Sequence, residues 1–123
     1  PAGTIDYLPT ILSLLDIQFP DQRPIDGINL IPIITNMGKS RGKAIGFQSN
    51  SVASLITDRY KIILKKKNNT VELYDILNDP FEKNDIALSM VDKTSELKAE
   101  LNKWIASCSE SDQGKDYTKI TGQ

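Results

Sequence analysis

The side chains of this sequence that are best suited to binding a metal ion lie in one acidic stretch. Its oxygen-bearing side chains are Asp75, Asn78, Asp79, Glu82 and Asp85. A hard cation such as calcium binds several such oxygens at once, but this spacing differs from that of an EF-hand loop, and Pro80 stiffens the middle. We therefore interpret the stretch as a turn whose Asp and Asn side chains accept hydrogen bonds from local backbone N–H groups. Asp85 is expected to cap the turn that begins at Ile86.

Nucleophilic and acid–base chemistry is limited by the complete lack of histidine. Histidine is the commonest general acid or base and the commonest metal ligand, and both Ser/His/Asp and Cys/His arrangements require it. The single cysteine, Cys108, lies in no CxxC motif and has the spacing of a buried helical residue, which favours a structural role. No glycine-rich phosphate loop is present. The sequence therefore predicts neither catalytic residues nor metal ligands within this chain.

Length and charge restrict the classes of partner. The 123 residues suffice for one domain, and the net charge of −1 gives no bulk field that would attract nucleic acid. No run approaches the roughly 18 apolar residues that a membrane span needs. Lys65–Lys67, followed by Asn68 and Asn69, is interpreted as a solvated hairpin tip. We therefore expect neither a nucleic-acid nor a membrane partner.

The N-terminal part of the chain predicts a helix followed by a connector. The helix is expected over Thr4–Asp16, with Asp6 as its N-cap. Its apolar stripe is formed by Leu8, Ile11, Leu12 and Leu15. A loop with two prolines follows over 17–29, then a short apolar stretch over 28–35 and a connector with two glycines over 36–42.

This N-terminal part carries more apolar side chains than a small core can bury. Ile5 and Leu14 lie away from the main helical stripe, and further apolar residues follow at Ile28, Leu30, Ile31, Ile33 and Ile34. Contiguous exposed apolar patches usually mark an interface. We therefore expect an exposed apolar surface within residues 1–40.

The middle of the chain predicts a sheet and the last third a long helix. Runs of alternating apolar and polar residues predict strands at 44–48, 52–57, 60–65 and 70–76. Short polar connections join them, so the simplest topology is a four-stranded antiparallel meander. The helix is expected from Asp92 to about Cys108, and its apolar stripe is Leu97, Leu101, Trp104, Ile105 and Cys108. Because one sheet face must bury that stripe, the predicted fold class is α+β: a four-stranded antiparallel sheet packed against a C-terminal helix and preceded by an N-terminal helix.

These elements divide the chain into three parts. Residues 1–42 form the helix and connector, residues 43–108 form the sheet-and-helix subdomain, and residues 109–123 form a polar tail. The chain starts at Pro1 without an initiator methionine and without the features of a signal peptide. We therefore expect it to be a fragment of a longer protein.

Several short motifs occur in a definite order along the chain. They are Asp6-Tyr7-Leu8-Pro9-Thr10-Ile11-Leu12, Pro24–Pro32, Ile56–Ile63, Glu72–Ile76 with Asn78–Glu82, the stripe Leu97, Leu101 and Trp104, and the tail residues Ser111, Gly114, Asp116 and Tyr117. Together they resemble the C-terminal end of the sulfatase family over about residues 5–117. Two departures lie at edges of motifs: Thr57, where many members carry arginine, and Asp16, where glycine is common.

The resemblance implies a parent α/β enzyme whose large N-terminal catalytic domain belongs to the same polypeptide. Such enzymes hydrolyse sulfate esters with a formylglycine made from the first residue of Cys/Ser-x-Pro-x-Arg, and with a calcium ion that binds the sulfate. The segment from Cys108 to Asp112 does not fit that motif, so both groups are expected outside this chain, and the chain alone is expected to be inactive. The resemblance also implies a sulfated carbohydrate substrate and a periplasmic or extracellular parent. The alternative is a free-standing binding module with no enzymatic parent.

A contact with substrate, if this part of the protein makes one, is predicted at Gln48-Ser49-Asn50-Ser51. This loop joins the first two strands at a sheet end, and Gln48 and Asn50 offer both donors and acceptors, which suit sugar hydroxyls. The corresponding sheet end lies near the cleft in sulfatases, so the resemblance implies the same position. The competing interpretation is a hairpin turn in which Asn50 is left-handed and the serines satisfy backbone groups.

Overall fold

A computed structural model describes residues 1–18, 25–36 and 38–115 of the chain. The elements, in chain order, are a 3-10 turn (Thr4–Asp6), helix α1 (Tyr7–Leu14), helix α2 (Ile31–Thr35), strands β1 (Ile45–Gln48), β2 (Val52–Ile56), β3 (Tyr60–Lys65) and β4 (Thr70–Asp75), and helix α3 (Val91–Asp112). Parts of the predicted loop, connector and tail, including Asp116 and Tyr117, lie outside the described residues. No helix within the described ranges is long and apolar enough to cross a membrane.

The four strands form one antiparallel meander in the order β1-β2-β3-β4, as predicted. Their registers pair Gly46 with Leu55, Leu55 with Ile62, and Ile62 with Leu73. Because directly paired residues lie on the same face, these side chains form one side of the sheet, against which α3 packs. The buried core consists of Ala53, Leu55, Ile62, Leu64, Leu73, Ala87, Leu97 and Leu101. The predicted α+β fold class is confirmed.

Helix α3 continues past the predicted end at Cys108 as far as Asp112. The end was predicted at Cys108 because it is the last residue of the apolar stripe. The helical backbone conformation ends only near Gly114, which has a φ of 72°. Trp104, on the predicted apolar stripe, packs against the core. Gly46 allows this packing, because a Cβ there would lie 2.1 Å from Trp104 Cε2. The indole of Trp104 therefore rests directly on strand β1.

The outer edge of β4 is covered by the chain that leads to α3. The N–H of Ile86 donates to Leu73 O at 2.8 Å, and the N–H of Leu73 donates to Asp85 Oδ1 at 3.0 Å. The same carboxylate oxygen accepts from the N–H of Ala87 at 2.9 Å. Asp85 therefore caps its turn as predicted, and it also satisfies a strand edge that would otherwise expose unpaired backbone groups.

Helix α1 contrasts with the sheet because none of its residues is buried. Leu8 and Ile11, which belong to its predicted apolar stripe, are 45% and 51% exposed. Of the residues expected to form an exposed apolar surface, Ile5, Leu14 and Ile34 are exposed, whereas Ile28, Leu30, Ile31 and Ile33 are half-buried. Asp6 occupies the N-cap position of α1 as predicted, but the expected side-chain hydrogen bond to the first turn is wrong, because other groups occupy its carboxylate.

Candidate functional site

The predicted substrate loop, residues 48–51, connects β1 to β2 at one end of the sheet. The turn between β3 and β4, residues 66–69, lies at the same end, because alternate connections of an antiparallel meander share an end. The N–H of Lys66 donates to Ser51 O at 2.9 Å. The two turns are therefore in contact, and Gln48 and Asn50 have exposed side chains beside that contact.

Ser49 closes the predicted substrate loop. Its N–H donates to Val52 O at 2.7 Å, and its Oγ accepts from the N–H of Val52 at 3.2 Å. For Ser49, this part of the hairpin-turn interpretation is confirmed. Its other part is wrong: positive φ angles in the described residues other than glycine occur at Asp16, Asn69 and Glu82, so Asn50 is not left-handed. Closure of the loop by Ser49 makes that strained conformation unnecessary.

The acidic stretch forms the local turn that its sequence predicts. Asp79 Oδ2 accepts from the N–H groups of Lys83 and Asn84, both at 2.8 Å. Asp75 Oδ2 accepts from Arg59 Nη2 at 2.8 Å, and this contact lowers the pKa of Asp75 below its usual value. Within the described ranges, no group of three or more His, Cys, Asp or Glu side chains is placed to hold a metal ion. The described residues therefore do not fit the calcium ion that the resemblance implies for the parent.

A buried ion pair joins the start of α1 to the connector that leads into β1. Arg41 Nη1 and Nη2 donate to the two carboxylate oxygens of Asp6 at 2.6 and 2.8 Å, and the two side chains are 2% and 0% exposed. Asp6 also accepts from the N–H groups of Gly3 and Ile28, at 2.8 and 2.9 Å. The Arg41 guanidinium, aided by these N–H groups, holds the pKa of Asp6 well below its usual range, although burial opposes the shift.

The other side of Arg41 contacts the segment just before β1 and the turn between β2 and β3. Its Nε donates to Lys43 O at 2.6 Å, and its backbone N–H donates to the carboxylate of Asp58 at 3.1 and 3.2 Å. Three segments therefore meet at Arg41: the start of α1, the connector, and the turn between β2 and β3. Analysis of the sequence missed this role, because Arg41 lies in a connector without periodicity. The one available signal was Asp6, which opens the first motif and needs a cation if it is buried.

Polar side chains on one face of α1 hold the segment that follows the loop. The N–H of Leu30 donates to Thr10 Oγ1 at 3.0 Å, and Asn29 Nδ2 donates to Ser13 Oγ at 2.8 Å. With Asp6, these two hydroxyls recur at i, i+4 and i+7, which is one helical face. The polar face of α1 therefore lies inward against its own chain.

The apolar side chains of α1 consequently lie outward. Tyr7, Leu14 and Leu15 are 63%, 66% and 62% exposed. The start of this helical segment cannot pack more closely against the residues that follow the loop, because Gly27 already contacts the backbone of Ile5. A Cβ on Gly27 would be 1.9 Å from Ile5 O. We call the exposed set the apolar face of α1, and it consists of Tyr7, Leu8, Ile11, Leu14 and Leu15.

Known structures share this architecture. BT1596, a 2-O GAG sulfatase, matches with a TM-score of 0.64 at 25% identity, over 89% of this chain and 26% of that one. The protein i-CgsB matches with a TM-score of 0.71 at 24% identity, over 85% of this chain and 24% of its own. BT4656, solved with its substrate D-glucosamine-2-N,6-O-disulfate, matches with a TM-score of 0.61 at 24% identity, over 93% and 25%. No protein-family model and no curated protein matches the sequence.

These matches identify the architecture as that of a sulfatase C-terminal subdomain, which confirms the resemblance that the motifs indicate. The chain spans about a quarter of the length of the chains it matches. It therefore corresponds to one part of a larger architecture.

Proposed function

We propose that this chain is the C-terminal part of a sulfatase that hydrolyses sulfate esters of a carbohydrate. The observation that carries the proposal is the likeness to BT1596, a 2-O GAG sulfatase, over 89% of the chain. Two further neighbours support a carbohydrate substrate: BT4656 was solved with a glucosamine disulfate, and i-CgsB was solved with k-i-k-neocarrahexaose. A periplasmic or extracellular location of the parent belongs to the same proposal.

In this proposal, the apolar face of α1 packs against the catalytic domain of the same polypeptide. Its leucine, isoleucine and tyrosine side chains are 45% to 66% exposed, and burying them is worth roughly 25 cal/mol for each Å² of apolar surface. The chain spans about a quarter of the chains that it matches. The rest of such a polypeptide would therefore provide the surface against which the apolar face of α1 packs. The Asp6–Arg41 pair fixes the orientation in which this face is presented.

The catalytic groups in this proposal belong to the rest of the polypeptide. The formylglycine and the calcium ion that the sulfatase resemblance implies are assigned there, and no residue of this chain is given a catalytic role. The chain contributes to binding at the loop over 48–51, where Gln48 and Asn50 are exposed beside the turn between β3 and β4. Their amide groups would hydrogen-bond carbohydrate oxygens and orient the substrate.

Sulfate release tests the proposal. The intact polypeptide, expressed from the continuous reading frame and matured to formylglycine, is assayed with calcium on glycosaminoglycan and carrageenan oligosaccharides, beside residues 1–123 alone. We expect sulfate from the intact protein and none above buffer from the chain alone. Turnover by the repurified chain alone would contradict the assignment of catalysis. Absence of a Cys/Ser-x-Pro-x-Arg motif upstream, together with no sulfate release, would instead favour a free-standing binding module.

A further inference from the structure

Two neighbouring turns at one end of the sheet form a surface rich in hydrogen-bond donors. We call it the turn surface, and it comprises residues 48–51 and 65–69. Lys66 Nζ donates to Ser49 O at 2.7 Å and lies 3.4 Å from Gln48 Oε1. Both acceptors are uncharged, so the positive charge of Lys66 is not neutralised. An ammonium group has three N–H donors, so at least one remains for a ligand.

The same contact determines what Gln48 can offer. Its carboxamide oxygen is turned toward Lys66, so the NH₂ group is the part of Gln48 that remains for a ligand. The exposed side chain of Gln48 therefore acts as a donor at this surface, beside the ammonium group of Lys66.

The charges of the three consecutive lysines are not equivalent. Lys65 forms an ion pair with Glu72, which neutralises it. Lys66 contacts only uncharged acceptors, and Lys67 has no hydrogen-bond or ion-pair partner in the part of the chain that the structure describes. Two positive charges and one amide donor therefore remain on the turn surface. A neutral sugar hydroxyl needs acceptors as well as donors, whereas this set suits an anion.

We propose that the turn surface binds a sulfate group of the carbohydrate substrate through Lys66, Lys67 and Gln48. The inference rests on the proposed function, which supplies a sulfated carbohydrate as the ligand. A sulfate group presents several acceptor oxygens and a negative charge, and charge-assisted hydrogen bonds are roughly twice as strong as neutral ones. Lys65–Lys67 are exposed, as expected of a solvated hairpin tip, and Lys66 in addition contacts the neighbouring turn.

The test measures binding to the intact polypeptide. Calorimetric titration with a heparin-derived hexasaccharide, and with the same hexasaccharide after chemical desulfation, compares the wild type with three double variants. K66Q/K67Q removes the proposed charges, K66R/K67R keeps them, and K98Q/K103Q removes two charges from α3 as a matched control. We expect Kd for the sulfated hexasaccharide to rise at least about tenfold in K66Q/K67Q, because the loss of even one of the two charge-assisted hydrogen bonds corresponds to about that factor. Kd should stay within about twofold in the other two variants. Thermal unfolding of each variant verifies that the fold is intact.

Each result decides between named claims. Any one of three results would overturn the turn surface as a sulfate site. The wild type shows no sulfate-dependent binding, K66Q/K67Q loses no affinity, or K98Q/K103Q loses as much affinity as K66Q/K67Q does. The same preparations are assayed for sulfate release. If they release sulfate while K66Q/K67Q keeps the wild-type Kd, the sulfate site fails and the proposed function stands. If they release none while only K66Q/K67Q loses affinity, the proposed function fails and the anion site stands.

Discussion

The two halves of this chain are held together by different interactions. The sheet and α3 bury their apolar side chains against each other, and Ile62, Leu73 and Leu101 are completely inaccessible. Helix α1 has no buried residue, and Leu14 is 66% exposed. Yet the most buried polar contact of the described residues, the pair of Asp6 with Arg41, belongs to the α1 side. The N-terminal part is thus attached by polar contacts, while its apolar face is left free.

This difference explains how a subdomain can be both ordered and incomplete. Apolar packing is non-directional and proportional to area, so the sheet and α3 supply stability by themselves. Hydrogen bonds are directional, and the bidentate geometry at Asp6 fixes the angle at which α1 leaves the sheet. The contacts of Asp6 therefore orient the apolar face of α1 even when no partner is bound to it.

The largest expected effect comes from breaking the buried pair. Asp6→Asn leaves the Arg41 charge buried without a counterion, and removing one partner of a buried ion pair costs about 3–5 kcal/mol. Urea unfolding of the chain should show this loss. Asp6→Leu combined with Arg41→Met should cost less than the sum of the single changes, because the two residues are directly coupled. Additive costs, or a loss below about 1 kcal/mol, would mean that the pair does not join the two halves.

A matched pair of truncations compares the two halves directly. Leu101→Ala removes a fully buried side chain from the core and should cost about 2–5 kcal/mol. Leu14→Ala removes an exposed one and should change the free energy of unfolding of the isolated chain by less than about 0.5 kcal/mol. Equal costs in chemical denaturation of the isolated chain would show that α1 is packed as tightly as the core.

The sequence predicted the sheet half well and the polar attachment poorly, for a physical reason. Alternation and helical periodicity report burial of apolar side chains, so the strands and the stripe with Leu101 and Trp104 could be read from the sequence. The same periodicity in α1 indicated an apolar face without showing that no partner within the chain covers it. The pair of Asp6 with Arg41 joins residues 35 positions apart, and no local pattern records such a contact. The exposure of Gln48 and Asn50 agrees with a polar loop, whereas the folding of Lys66 onto Ser49 depends on sheet register.

Acid should weaken the attachment of α1 before it weakens the core. The pKa of Asp6 is depressed in the folded chain by Arg41 and the N–H groups of Ile28 and Gly3. A depressed carboxyl pKa contributes stability that is fully present above the unfolded value of about 4 and is lost as the pH falls through the folded value. Unfolding free energy should therefore decline below about pH 4 in the wild type. Asp6→Asn should show a shallower decline, and an unchanged slope would contradict the role of this carboxylate.

The smallest expected effects concern substrate contact. Gln48→Ala and Asn50→Ala in the intact protein should each lower kcat/KM for the sulfated oligosaccharide roughly tenfold, since a lost hydrogen bond to substrate is worth about 1–2 kcal/mol. Asn102→Ala on α3 is the matched control and should leave kcat/KM unchanged. If both loop variants keep the parental kcat/KM and the parental stability, the loop is only a turn and makes no contact with substrate.

Hydrogen exchange of the α1 amides, measured in the isolated chain and in the intact polypeptide, tests most directly whether the apolar face of α1 is an interface. In the isolated chain, amides of Tyr7–Leu14 should exchange far faster than those of β2, β3 and α3, because no buried apolar contact protects the helix. In the intact polypeptide, they should become as slow as the core amides while those of β2 and β3 change little. Equally fast exchange of α1 in both forms would show that nothing covers this face, and would contradict its assignment as the contact with a sulfatase catalytic domain.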